Sequence, residues 1–255
     1  MNNSSPRPPE ASAETVAARK SLANATPDEA EREPRGARRK RETREKLLEA
    51  AFRLMAERGM DAVAINEITE AADVGFGSFY NHFESKEAIY AVVMDSVFEE
   101  FGDALDLLVK NVDDPAEFIA ICVRHTILRA RREPLWGRFL VREGFSARVL
   151  SRGLGVRLMR DILIGVSKGR FNIPDPFMTF VTIGGGVLGA IAAELELAGK
   201  PTDSLKQLKQ LGLSSEDIPE RAAAVALHNL GLSFDESRRI ALLSLPAVDR
   251  PFASS

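Results

Sequence analysis

Twenty residues, AINEITEAADVGFGSFYNHF at positions 64–83, constrain the fold of this chain more than any other stretch. Ile65, Ile68 and Ala72 fall at i, i+3 and i+7 and make one apolar helical face. Asp73 tolerates the left-handed backbone that a sharp corner needs, and Val74 supplies the apolar plug beneath it. Phe79 and Phe83, four apart, share one face of a second short helix, Phe76 to Phe83. Ser78, Tyr80, Asn81 and His82 carry hydroxyl, amide and imidazole groups suited to phosphates or base edges. The pattern is a helix-turn-helix, with one face of the second helix for the core and one for a DNA groove.

The flanks agree. Residues 47–59, LLEAAFRLMAERG, form an amphipathic helix with Leu47, Ala51, Leu54 and Met55 on one stripe and Gly59 as its stop. Residues 84–90, ESKEAIY, open another helix capped by Ser85. Lys86 in its first turn opposes the helix dipole, which suits a side chain reaching for phosphate better than a stabilising one. With I-x-x-I-x-x-A-A-x-V and G-S-F-Y-x-H-F-x-S-K-E at fixed spacing, residues 41–101 resemble the DNA-binding domain of the tetracycline-repressor (TetR) family of bacterial regulators. The resemblance places Phe76, Gly77, Ser78, Tyr80, Asn81, His82 and Lys86 at DNA-contacting positions, and Ile65 and Asn66 at lesser ones. Three positions depart from the family pattern. Ala64 stands where a capping Thr or Ser is usual, Gly75 replaces a Ser cap, and Asp73 replaces the turn Gly.

Charge is local. Residues 35–58 hold nine Arg or Lys and four Glu, whereas residues 59–87 hold one Lys and six acids, within a chain of net charge −3. The reading helix itself has no Arg or Lys, so phosphate affinity is assigned to a basic arm that includes Arg39, Lys40, Arg41 and Arg44. The alternative for that cluster is a solvated helix start. Base readout is light: Asn81 suits adenine, and Phe76 suits either a thymine methyl or packing on a neighbouring helix.

The Pro- and Ser-rich residues 1–34 read as a disordered tail, 35–101 as the DNA-binding domain, 102–246 as an effector-binding and dimerisation domain, and 247–255 as a C-terminal tail. The single Cys122 fits a reducing cytoplasm and excludes an intrachain disulfide. The longest uncharged apolar run, Phe177 to Ala193, is short for a membrane span and lacks basic anchors, so it reads as a buried helix of a soluble protein. There is no paired metal-ligand spacing, Gly-x-Ser-x-Gly elbow or phosphate loop, and His82, His125 and His228 are scattered. An enzyme, a metal site and a cofactor are therefore not expected.

Beyond residue 101 every long segment has helical spacing, so the fold class is all-α: a three-helix head followed by a helical domain, nine to ten helices in all. Asp114-Pro115, Asp175-Pro176 and Ser233 mark helix starts. Val149 to Val166 form a seventh helix whose Arg148, Arg152, Arg157 and Arg160 read as solvated. Residues 199–214 read as a linker, and three successive Gly at 184–186 weaken the eighth helix enough to allow a kink. Phe118, Cys122, His125, Trp136, Phe139, Met159, Phe177 and Phe180 suit an apolar cavity with His125 as its polar handle, and suit an ordinary core equally well. Family dimers pair the eighth helix with a later one. That points to residues 177–197 with 216–230 and to Gly185, Gly189, Ala193, Ala223 and Leu227, the alternative being intrachain packing.

The resemblance implies a homodimeric regulator, foremost a repressor, that binds palindromic double-stranded operator DNA and is released by a small hydrophobic effector. A DNA-binding or architectural regulator without an effector is the alternative.

Overall fold

A computed structural model of the protein describes residues 34–146, 153–198, 203, 206–207, 210 and 216–246 of the 255-residue chain. Among these residues there are ten helices and no strand: α1 (Arg35–Arg58), α2 (Ile65–Ala71), α3 (Phe76–Phe79), α4 (Lys86–Leu108), α5 (Pro115–Arg132), α6 (Pro134–Glu143), α7 (Gly153–Ser167), α8 (Pro176–Ala198), α9 (Ile218–Asn229) and α10 (Phe234–Ala241). The tails expected at 1–34 and 247–255, apart from Pro34, lie outside the described residues, as do Arg148 and Arg152. Of the expected linker only Asp203, Lys206, Gln207 and Gln210 are described, and each is helical.

The chain divides into two compact units, one ending at Arg44 and the other beginning at Glu45. In the first, the described residues are the opening turns of α1, with Arg39, Lys40, Arg41 and Arg44 exposed. Thr43 Oγ1 donates to the Arg39 carbonyl at 2.9 Å, and Arg38 pairs with Glu42 one turn on. Everything below belongs to the second unit.

Helix boundaries follow the local chemistry. α1 stops where Gly59 takes φ +81, a region open to glycine at no steric cost. Ser85, Asp114, Asp175 and Ser233 each accept a backbone N–H of the helix that follows, at 3.2, 2.9, 3.0 and 3.3 Å. Those acceptors satisfy donors that a helix start otherwise leaves orphaned. α8 runs unbroken through Gly184–Gly186, despite a propensity cost of about 1 kcal/mol per Gly relative to Ala.

One hydrophobic cluster joins the head to the rest. Leu47, Met55, Ile68, Phe79 and Ile89 are its anchors in the head; Phe98, Phe101, Ile119, Phe139, Ile162, Ile191 and Leu227 continue it. α5 is buried on several sides, against α6, α7, α8, α9 and α10. α8 is less buried than its composition suggests. It is the one described helix long and apolar enough to cross a membrane, and only 17% of its apolar window is buried within this single chain. The expectation of a helix buried by its own chain therefore holds for one side alone, the side carrying Phe180, Ile183 and Ile191.

Candidate DNA-reading head and effector cavity

The corner between α2 and α3 has the geometry its sequence demands. Asp73 sits at φ 54, and Val74 N–H returns to the Thr69 carbonyl at 3.0 Å. Ala64 offers no side-chain cap, but Glu67 reaches back to its N–H at 2.8 Å and pairs with Arg58 at 2.7 Å. The Ala64 backbone bond, followed by Arg58, holds the Glu67 carboxyl below its ordinary range. Half of a capping box thus survives the loss of the hydroxyl.

The reading helix is shorter than expected: α3 spans Phe76–Phe79 and gives way to a turn. Asn81 and His82 then donate to Ser78 and Phe79 carbonyls, an i→i−3 tightening. Phe79 is fully buried and Phe83 nearly so, with ring centroids 5.8 Å apart. On the other side Phe76 and Tyr80 are each 53% exposed, edge to face at 5.7 Å, and Gly77 and Asn81 are exposed beside them. Asn66 is also exposed, while Ile65, Ser78 and His82 are half-buried. Of the two settings open to Phe76, the exposed rim is the one observed. Lys86 is otherwise engaged: its Nζ donates to the Met60 carbonyl at 3.0 Å and closes the turn after α1. It is not extended from its helix toward an anion.

A cavity of about 110 Å³ opens between α4, α5, α6, α7 and α8. Leu105, Ile119, Leu140, Leu158, Ile183 and Leu188 make most of its wall apolar. Of the eight residues expected to line it, only Cys122 and Phe180 do. Phe118, Met159 and the 61%-exposed Phe177 are not part of the wall. Trp136 is wedged between α4 and α6, its ring 5.0 Å from Phe101, its N–H on the Val97 carbonyl and the Arg129 guanidinium over its face. Phe139 stacks on Phe98 at 5.6 Å and meets Phe52 edge-on. Both aromatics are structural. His125 lies on another side of α5, bonded to the Pro246 backbone with Nε2 buried and unpartnered. Burial, and then Arg132, push its pKa down.

The polar handle is on α7 instead. Asp161, the buried acid of the segment GVRLMRDILIGV, lines the cavity and accepts from Arg160 Nε at 2.7 Å through Oδ1. Asp106, Arg157 and Thr126 complete the polar set. Arg157 is therefore not the solvated residue its sequence suggested, whereas Arg160 is exposed as expected but ion-paired. Arg157 is clasped by Glu99 at 2.8 Å, Asp103 at 2.5 Å and Asp106 at 3.0 Å, and Arg160 spans Asp106 and Asp161. Thr126 spends its proton on the Cys122 carbonyl at 2.7 Å. Burial drives the Cys122 thiol far above its ordinary pKa, so it is a neutral part of the wall. With every Arg157 nitrogen engaged, what the cavity offers a guest is acceptor capacity, above all the second Asp161 oxygen.

Burial raises the Asp161 pKa despite its Arg160 partner, while at Asp106 the bonds from Arg160 and Arg157 outweigh burial and lower it. A folded-state pKa above the unfolded one means the ionised carboxylate destabilises the fold at neutral pH. That penalty fades as pH falls through the raised value toward the ordinary 3.8. Asp161→Asn is expected to match or exceed the wild-type melting temperature at pH 7, with the difference shrinking as pH drops toward the ordinary carboxylate range. A variant markedly less stable at pH 7 contradicts this account.

A second recess, an open groove of about 390 Å³, runs between α8 and α9. Gly186, Ala190, Ala193, Ala222 and Val225 line it, and Gly189 is exposed nearby with no atom within 4 Å of a built Cβ. Gly185 lies half-buried on the Phe145 side. Ala223 and Leu227, expected at a dimer seam, are 0% exposed and face their own chain, so they are withdrawn from that role. Ala222 and Val225 are the outward positions of α9.

Comparison with known proteins agrees with this architecture. Residues 47–93 match the family described as bacterial regulatory proteins, tetR family, and residues 114–242 match the tetracyclin repressor-like C-terminal domain. The HTH-type transcriptional repressor DhaR of Mycobacterium sp. (strain GP1) is 38% identical over 72 residues, 28% of this chain and 36% of DhaR. KstR2 of Rhodococcus jostii (strain RHA1), also a transcriptional repressor, is 33% identical over 79 residues, 31% of this chain and 39% of KstR2. The matches thus span little over a third of these relatives' lengths. The crystal structure of RolR in complex with resorcinol covers 84% of this chain and 100% of RolR, with 36% identity and a TM-score of 0.59.

Proposed function

This chain belongs to the TetR family of bacterial transcriptional regulators, and from that premise we propose that it acts as a homodimeric, cytoplasmic repressor of a palindromic operator, released by a small neutral hydroxylated ring compound. DNA-binding regulation is the activity of the family; the dimer, the operator symmetry and the effector are the proposal. Two reading heads related by a two-fold axis meet successive major grooves about 34–36 Å apart. On this reading Phe76, Gly77, Ser78, Tyr80, Asn81 and His82 face the groove, Ile65 and Asn66 lie at its edge, and Arg39, Lys40, Arg41 and Arg44 hold phosphates. Lys86 joins them only if it leaves the Met60 carbonyl.

The observation that carries the effector is the cavity. An apolar cavity of about 150 Å³ holds benzene, so about 110 Å³ is on the scale of a single small ring. Its unspent polar capacity accepts hydrogen bonds, which asks the guest for O–H donors. Asp106 and Asp161 line the cavity and Arg157 is already committed to three carboxylates, a setting that favours a neutral guest over an anion. Resorcinol, the ligand named for RolR, has this chemistry.

The test begins with an operator selected from random duplex DNA. Resorcinol should release the protein from that site and raise its melting temperature in the absence of DNA, whereas benzoate, with a similar ring but a negative charge, should bind at least about 10-fold more weakly, a difference of about 1.4 kcal/mol. Equal affinity for the two compounds removes the carboxylate-handle reading. A protein that binds its operator and ignores every single-ring compound is the effector-free regulator instead.

A further inference from the structure

Two cavity residues, Asp106 and Arg157, also belong to the junction between α4 and α7. Glu99, Asp103 and Asp106 lie at i, i+4 and i+7, one face of α4, and Arg157 from α7 lies across all three with its side chain 15% exposed. Gly102 sits on that face. A Cβ built there would be 2.6 Å from the Arg157 guanidinium, so the glycine is the notch in which the arginine is seated. Glu99 has a second duty, accepting the N–H of Gly153 at the start of α7 at 2.7 Å. Glu99 and Arg157 therefore join α4 to the first turns of α7.

We infer that this clasp, seated in the Gly102 notch, couples occupancy of the cavity to the DNA-reading head. The inference rests on the cavity being the effector site. Asp106 and Asp161 are shared: they line the cavity, and they hold Arg157 and Arg160. A guest hydroxyl seated on the second Asp161 oxygen lies beside Asp106, and one that donates to Asp106 competes for the oxygens that Arg157 and Arg160 use. Arg157 then redistributes toward Glu99 and Asp103, which lie on the head-proximal side of Asp106 along α4. A half-buried guanidinium does not give up a carboxylate without replacement, so the helices re-register to follow it.

The far end of α4 is tied to the head. Lys86 Nζ holds the Met60 carbonyl behind α1, and Ser85 caps the helix immediately after the reading segment. Tyr90, one turn on, hydrogen-bonds Glu143 of α6. A shift of α4 along α7 thus reaches the turn after α1 through the Lys86 bond, and the reading segment through the packing of Phe79 and Phe83 with Ile89 in one core. The coupling is a free energy shared by two sites, and it is measurable as a ratio of affinities.

Glu99, Gly102 and Asp103 line no part of the cavity, so Glu99→Gln, Gly102→Ala and Asp103→Asn separate coupling from binding. The probe is resorcinol, its affinity for the DNA-free full-length protein read by calorimetry. Operator dissociation constants are then measured without it and at saturation. Wild type should show a ratio of about 10 or more. Glu99→Gln and Gly102→Ala should bring the ratio to within about 2-fold of unity, while resorcinol affinity changes by less than about 3-fold. Asp103→Asn, at a carboxylate 67% exposed, should lower the ratio partway without threatening the fold.

A purely structural clasp would lower the melting temperature and leave the ratio intact in all three variants, which overturns the inference while the effector reading stands. Wild-type protein that does not bind resorcinol, or keeps its operator affinity when saturated, overturns the effector reading and the clasp with it.

Discussion

Phe79→Ala should lose operator binding by about 100-fold or more and lower the melting temperature of the head. Phe79 is fully exposed to packing and not at all to water: 0% accessible, with Phe83 and Tyr80 rings 5.8 and 5.4 Å away. Truncating such a residue costs about 3–5 kcal/mol, against a total domain stability of about 5–15 kcal/mol. Local structure cannot absorb that loss. α3 has four residues, a Gly75 start with no side-chain cap, and a turn in place of further helix. A segment that short does not hold a helix on its own, so the exposed face of Phe76, Gly77, Tyr80 and Asn81 is presented only while Phe79 anchors it. Anisotropy on a fluorescent operator, with thermal melts by circular dichroism, reads both effects. Wild-type affinity in a variant with the lowered melting temperature would show that α3 forms without its anchor, and would remove this account of the reading face.

That anchor was legible in the sequence because its determinants are local. The apolar positions of α2, the left-handed Asp73 and the Phe79/Phe83 pair all fall within twenty residues. The length of α3 was not: Asn81 and His82 are weak helix formers, and the backbone after Phe79 tightens rather than propagates. The cavity was mostly illegible. α5 is surrounded by helices, so its apolar periodicity marks several buried sides and does not say which one meets a void. Cys122 and Thr126 turned out to face it and His125 did not. Aromatic content misled in the same way, since Trp136 and Phe139 fill the space between α4 and α6. One signal was available: Asp161 is the lone acid of the segment GVRLMRDILIGV, where a carboxylate among apolar residues requires a partner or a task. Its setting comes from α4, some fifty residues earlier, which is also why Arg157 and Arg160 read as solvated.

Val225→Asp should turn a dimeric protein into a folded monomer. Val225 is 60% exposed in the single chain and lines the groove between α8 and α9. There a carboxylate costs the monomer little, within about 0.5 kcal/mol for a surface change. In a two-fold assembly every substitution appears twice, and each ion taken from water into an apolar seam costs several kcal/mol, so the dimer dissociation constant should rise by about 1,000-fold or more. In the proposed dimer this groove is the seam. Gly189 and Ala193 keep the exposed side of α8 low, and Ala222 does the same on α9, so helices from a second copy can approach closely. The large unburied share of α8, the most apolar long helix described, points the same way. Loss of the dimer removes the avidity of two linked heads, about 100- to 10,000-fold on a two-site operator, without altering a single DNA-contacting residue. Sedimentation at micromolar concentration and operator anisotropy measure the two effects together. Were the variant to sediment as wild type does and bind its operator equally well, the groove would not be the interface. The two-fold axis would then have to lie on another face, and the half-site geometry proposed from α8 and α9 would go with it.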